Sequence, residues 1–265
     1  MGPPPQVSPV RSQKDSLTYS SYLKVPELTA LQSPLSFPVA HDEMLFIIIH
    51  QTYELWFKQV LFELDSLVDF IEKDELLPAF RLLDRVYEIF RVLIQQVDIL
   101  ETMTPVEFNR FRSNLNPASG FQSRQFRELE LLCGAPISDY EGLEKVEPEW
   151  LDIIDKRSTR PTLRSAFLNI LTRRGLALSA QPEQVKKAIV KVYQSTVEPA
   201  VHNLCEDLIQ FDEQVSLWRF RHVQMVERMI GMKMGTGGSL GVPYLKGTLK
   251  KRFFPELWDA RTELA

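Results

Sequence analysis

The stretch HDEMLFIIIHQTYELWFKQVLFELDSLVDFIEK, residues 41–73, constrains this chain more than any other. Its apolar side chains recur at helical spacing and lie nearly all round the cylinder for about the first six turns. A helix like that is expected to be buried core, not draped over a surface. Asp42 and Glu43 stand at its start, where negative charge suits the positive end of the helix dipole.

The rest of the chain follows the same rhythm. Pro78 suits a first-turn position, and AFRLLDRVYEIFRVLIQQVDILETM continues with helical spacing. Thr104-Pro-Val-Glu107 forms a capping box with proline at the first helical position, Ser119-Gly-Phe-Gln122 forms a second, and Gly134 marks a stop. A short helix is expected within Tyr19–Gln32, residues 135–160 read as irregular, and further helices are expected over 161–174 and 182–232. The last of these should bend or split at Pro199, and short pieces near 244–252 and 255–262 close the chain. No strand-type alternation persists. The expected fold is all-α, a single helical-bundle domain over residues 16–265, preceded by a proline-rich, disordered tail at residues 1–15.

A net charge of −4 argues against nucleic acid or an anionic membrane as partner, because both require a basic surface. The run Met44–Ile49 is far too short to span a bilayer, so no membrane segment is expected. Cys133 and Cys205 are far apart with no CxxC spacing, which fits a reducing compartment and a cytoplasmic address.

Near the C-terminal end, RFRHVQMVERMIGMKMGTGGSLG breaks from a helix into glycines. It supplies neither the Walker spacing nor a dinucleotide fingerprint after a strand. What remains is a loop with free backbone N–H groups, either a plain linker or a flap over something anionic. His222 shares a stripe with Trp218, Met225, Val226 and Met229; it is either a hydrogen-bonded core histidine or an axial ligand to haem. His50, on one face with Phe46, Tyr53 and Phe57, carries the same pair of readings. No HExxH motif or cysteine pair supports zinc, and without CxxCH any haem would be held non-covalently. In a helix opened by Thr104, Arg112 would stand between Phe108 and Leu115, on an apolar stripe where a guanidinium needs an anion. That anion is either an internal carboxylate or the carboxylate of a ligand. Tyr19 and Tyr22 form an aromatic patch that either docks on its own core or inserts into a neighbouring subunit.

Five blocks then carry a resemblance: LTYSSYL, HDEMLFIIIHQTYELWFKQVLFELDSL, FNRFRSNLNPASGFQSRQFRELE, RFRHVQMVERMIGMKMGTGGSLGVPYL and RFFPELWD. Together, in this order, they resemble the tryptophan 2,3-dioxygenase family from about residue 17 to 262. The resemblance implies a homotetramer, a dimer of dimers, that binds haem b in its Fe(II) form. It implies insertion of O2 across the indole C2–C3 bond of L-tryptophan to give N-formylkynurenine.

By the same resemblance His222 is the axial haem ligand and His50 the distal histidine facing the indole N–H. Phe46, Phe108 and Leu115 line the substrate wall, and Arg112 pairs with the substrate carboxylate. Thr236 hydrogen-bonds the amino-acid end. Ala118, Ser119 and Gly120 form the tight segment beside the distal haem face, and Tyr19, Tyr22 and Leu23 are lent to a neighbour's site. Ala40 departs from a histidine often found before HDE in the family. Two other functions share these residue types: a haem oxygenase inserting one oxygen atom into a substituted indole, and a non-catalytic haem or tryptophan sensor.

Overall fold

We describe the fold from a computed structural model covering residues 17–145, 147–177, 179, 181–237 and 241–264. Every regular element among the described residues is helical. The disordered tail expected over residues 1–15 lies outside them.

Two short helices, α1 (Tyr19–Leu23) and α2 (Val25–Leu28), precede the long α3 (His41–Glu72). A tight turn, with Asp74 at φ 62°, reverses the chain into α4 (Leu76–Leu100). Then come α5 (Pro105–Asn109), α6 (Arg124–Cys133), α7 (Trp150–Ser158), α8 (Leu163–Arg173) and α9 (Pro182–Gln194). The second long helix, α10 (Pro199–Ile230), is followed by α11 (Val242–Thr248) and α12 (Pro255–Arg261). α4 packs against both long helices, and α6 and α8 cover α3. Leu64, Leu83, Phe90, Leu208 and Phe211 are buried along this seam and belong to the main apolar core.

A second, smaller core decides where the site forms. Ile49 from α3, Val97 and Leu100 from α4, Phe108 from α5, Phe111, and Met225 and Met229 from α10 close on one another, with Phe46 and Val226 packed against them. The α3 and α10 faces that carry His50 and His222 are therefore fixed by packing on both sides.

Three expectations are corrected and one open alternative, at Pro199, is resolved. α3 is not buried all round: Met44, Ile48, Leu55 and Phe62 are 38, 42, 51 and 68% exposed, a stripe that nothing else in the described chain covers. The irregular stretch 135–160 contains α7, because Trp150 is wholly buried against Tyr140 and Arg157 is buried between Asp65 and Glu128. Pro199 splits the helix rather than bending it and stands at the first position of α10. The helix capped by Thr104 ends at Asn109, so Arg112 opens a 3-10 turn, Arg112–Leu115, instead of riding an α-helical stripe. The sequence there, RSNLNPASG, is poor in helix formers, and the residue before a proline avoids the helical region.

Both expected N-caps form, but only the one at Ser119 closes as a full box. Thr104 Oγ1 accepts from the Glu107 N–H, and the Ser119–Gln122 box closes on the 3-10 turn Gly120–Gln122. Gly134, at φ 107°, ends α6 in the left-handed region, where other residues would be strained.

Candidate active site

One cavity of about 300 Å³ opens between α3, α10, α11 and the segment 119–127. Phe46, His50, Phe108, Arg112, Ser119, Gly120, His222 and Thr236 all line it. Residues that the sequence spreads over nearly two hundred positions thus meet in one place.

His50 reaches the cavity one turn after Phe46. Its Nδ1 lies 2.7 Å from the Phe46 carbonyl, which can only accept, so Nδ1 carries the proton. In the neutral ring Nε2 is then left as an acceptor. Desolvation by the protein packed around it pushes the His50 pKa below its ordinary value, even with one edge of the ring open to the cavity, so the neutral form prevails at pH 7. Phe46 lies 4.0 Å from the His50 ring, with Phe108 stacked behind it at 5.8 Å and Phe111 meeting it edge-on at 5.5 Å. These rings make a stiff wall with little rotamer freedom.

His222 comes from α10, with the Trp218 ring parallel to it at 5.6 Å and 9°. Its pKa is pushed down to about 4, first by burial, then by His50 once that ring protonates in the same acid range, and then by the positive charge of Arg127. Among the described residues no hydrogen bond engages either of its ring nitrogens. A neutral imidazole with uncommitted nitrogens is what a metal ligand requires.

The glycine loop folds back over the cavity mouth. Arg112 donates to the Met234 carbonyl, and Thr236 Oγ1 donates to the Ala118 carbonyl at 2.6 Å. Gly237 is pressed so closely on the 119 turn that an added Cβ would collide with the Ser119 Cβ. Arg112 is half-buried, and no carboxylate among the described residues pairs with it. Of the two anions considered for it, the internal one is therefore not found.

Some candidates fall elsewhere. Leu115 packs against the second core behind the wall, and Ala118 takes part through its carbonyl. Tyr19, Tyr22 and Leu23 lie on the surface, 79, 70 and 43% exposed, away from this chain's own cavity.

Other lining residues escape sequence reading. Arg127 and Arg219 share one buried carboxylate, Glu130, at 2.7 Å each, and Arg127 Nε has no partner. Arg127 and Glu130 lie on a short helix whose charges look like a solvated face in the sequence, so no signal marked them. Glu54, Tyr244 and Thr248 were likewise silent.

Fold and site together define an all-helical enzyme-like protein, with a histidine-bearing apolar cavity and a polar, loop-covered mouth. The sequence profile of the tryptophan 2,3-dioxygenase family matches residues 6–145 and 168–264. Among similar curated proteins, the tryptophan 2,3-dioxygenase of Nocardioides sp. is 48% identical, over 95% of this chain and 96% of its own. That of Herpetosiphon aurantiacus is 44% identical over 94% and 99%, and that of Bacillus anthracis 40% identical over 95% and 94%. The chain belongs to the tryptophan 2,3-dioxygenase family.

The cavity's donor set fits a haem. His222 offers an unprotonated nitrogen, Phe57, Phe126, Met225 and Met229 offer apolar walls, and Arg127 offers a buried, incompletely satisfied cation to a carboxylate of the group. Among the described residues no helix is long and apolar enough to cross a membrane.

Proposed function

We infer that the chain is a haem-dependent dioxygenase that opens the indole C2–C3 bond of L-tryptophan with O2 to give N-formylkynurenine. The observation that carries this reading is the convergence of His50 and His222 on one cavity whose mouth bears Arg112 and Thr236. His222 holds the iron of haem b; when bound as Fe(II), that group supplies the chemistry that makes O2 reactive toward the indole.

The chain's own residues do the rest. His50 Nε2 accepts the indole N–H, and Phe46 and Phe108 face the indole ring. The Arg112 guanidinium forks onto the substrate carboxylate, and Thr236 hydrogen-bonds the amino-acid end. Held at both ends, the ring has few orientations left, so the encounter with O2 becomes effectively unimolecular. The closed loop keeps water out. His50 positions the substrate rather than removing a proton.

The active unit is a homotetramer. Support comes from the uncovered apolar stripe Met44, Ile48, Leu55 and Phe62 on α3, and from the exposed Tyr19 and Tyr22, which a neighbouring subunit's site would receive. A cytoplasmic address is supported by Cys133 and Cys205, both free and buried thiols.

Reconstitution with haem, reduction, and mass analysis of the product from L-tryptophan in air tests the reading. Gain of two oxygen atoms with ring opening is expected. One added oxygen would favour a monooxygenase, and haem binding without turnover would favour a sensor.

A further inference from the structure

We propose that Glu54 is a positioning residue for this reaction: it clamps the segment 118–125 to α3 and so sets where the glycine loop meets the substrate. The proposal rests on the reading above, in which Thr236 holds the amino-acid end of tryptophan.

Glu54 lines the cavity one helical turn beyond His50. Ser123 Oγ donates to its Oε1 at 2.6 Å, and Gln125 Nε2 donates to its Oε2 at 2.9 Å and to its backbone carbonyl at 2.8 Å. Among the described residues these are the hydrogen bonds that tie the segment to α3, and no cation pairs with the carboxylate.

From Glu54 an unbroken series of contacts runs to the loop. Ser123 Oγ also accepts from the Phe126 N–H, fixing the start of α6. Gln122 Oε1 accepts from the Ser119 N–H at 2.8 Å, and Ser119 Oγ accepts from the Phe121 N–H at 3.3 Å, which stiffens the turn between them. At the far end Ala118 holds the Thr236 hydroxyl, and Ser119 backs Gly237. A clamp released at Glu54 lets the turn drift from His50, and the loop drifts with it.

The test uses haem-loaded Glu54→Ala and Glu54→Gln with two ligands, L-tryptophan and 3-methylindole, the same ring without the amino-acid end. Glu54→Ala is expected to weaken L-tryptophan binding and raise its KM about tenfold, the scale of a sub-ångström misplacement. Affinity for 3-methylindole and the Soret maximum should stay unchanged. Glu54→Gln keeps an acceptor for Ser123 and loses one for Gln125, so it should fall between wild type and alanine; it alone decides if the alanine variant does not fold. Unchanged L-tryptophan affinity, equal loss for both ligands, or a shifted Soret band overturns the proposal. Thr236→Val serves as the parallel control. If it too leaves L-tryptophan binding intact, the underlying assignment of the loop fails; if it weakens binding while Glu54→Ala does not, only the clamp fails.

Discussion

Arg112 and Met234, 122 positions apart, are joined by a hydrogen bond from the guanidinium to the backbone carbonyl. Thr236, two residues on, gives its hydroxyl to Ala118. Both donors assigned to the substrate's amino-acid end are thus already engaged with carbonyl oxygens of the chain. Substrate binding then exchanges the partner of Arg112 rather than filling a free valence, since a carboxylate carries full charge and outcompetes a carbonyl, while the Thr236 hydroxyl keeps Ala118 and offers its lone pairs to the substrate ammonium.

Replacing Arg112 tests that exchange. Arg112→Leu should raise KM for L-tryptophan about a hundredfold, equivalent to roughly 2–3 kcal/mol for a lost charge-assisted pair. Arg112→Lys should recover only part of it, since an ammonium lacks the planar fork. Steady-state kinetics decide, and a lysine variant equal to wild type would remove the fork from the argument.

Gly237→Ala places a methyl group where the Ser119 Cβ already stands. The loop can no longer seat on the 119 turn, so KM should rise about tenfold through lost substrate ordering. Thermal stability should hardly change, because the loop contributes little buried apolar area. Kinetics and a melting curve on one sample separate the two effects.

Acid should destabilise the haem-free fold through both site histidines. Each has its pKa lowered by burial, His222 to about 4, so the unfolded chain binds more protons over the interval down to that value. The His222 contribution is fully present above the ordinary histidine value of 6.5 and is lost as pH falls toward about 4, and the His50 contribution is lost in the same direction. Denaturant midpoints measured across this window should drop, and drop less in His222→Gln. Equal slopes for the two proteins would show that His222 is not the sensor.

If His50 accepts the indole N–H, then His50→Ala should weaken L-tryptophan several-fold but leave N1-methyltryptophan unaffected, because that ligand offers no proton. Turnover should persist at a reduced rate. A variant inert toward both substrates would instead make His50 a required base.

The exposed apolar stripe of α3 gives the assembly its test. Phe62→Glu puts a charge on a side chain that is 68% exposed in the isolated chain. Sedimentation should show a smaller species, since an unpaired carboxylate buried in an apolar interface costs several kcal/mol. A tetramer unchanged in size would locate the interface elsewhere.

Sequence alone determined the helical class, the length of α3, the two caps at Thr104 and Ser119, and the stop at Gly134. Each depends on neighbours within a turn or two, and periodicity and capping chemistry are local. His50 and His222 stood out because each interrupts an apolar stripe. Tertiary structure decided what local pattern cannot hold. It ended α5 at Asn109, placing Arg112 in a 3-10 turn, and it buried Trp150 to create α7. It also turned Glu54, Arg127 and Glu130 from ordinary helix charges into cavity walls. A charged residue looks the same in sequence whether it meets water or another helix, and only long-range packing chooses between them.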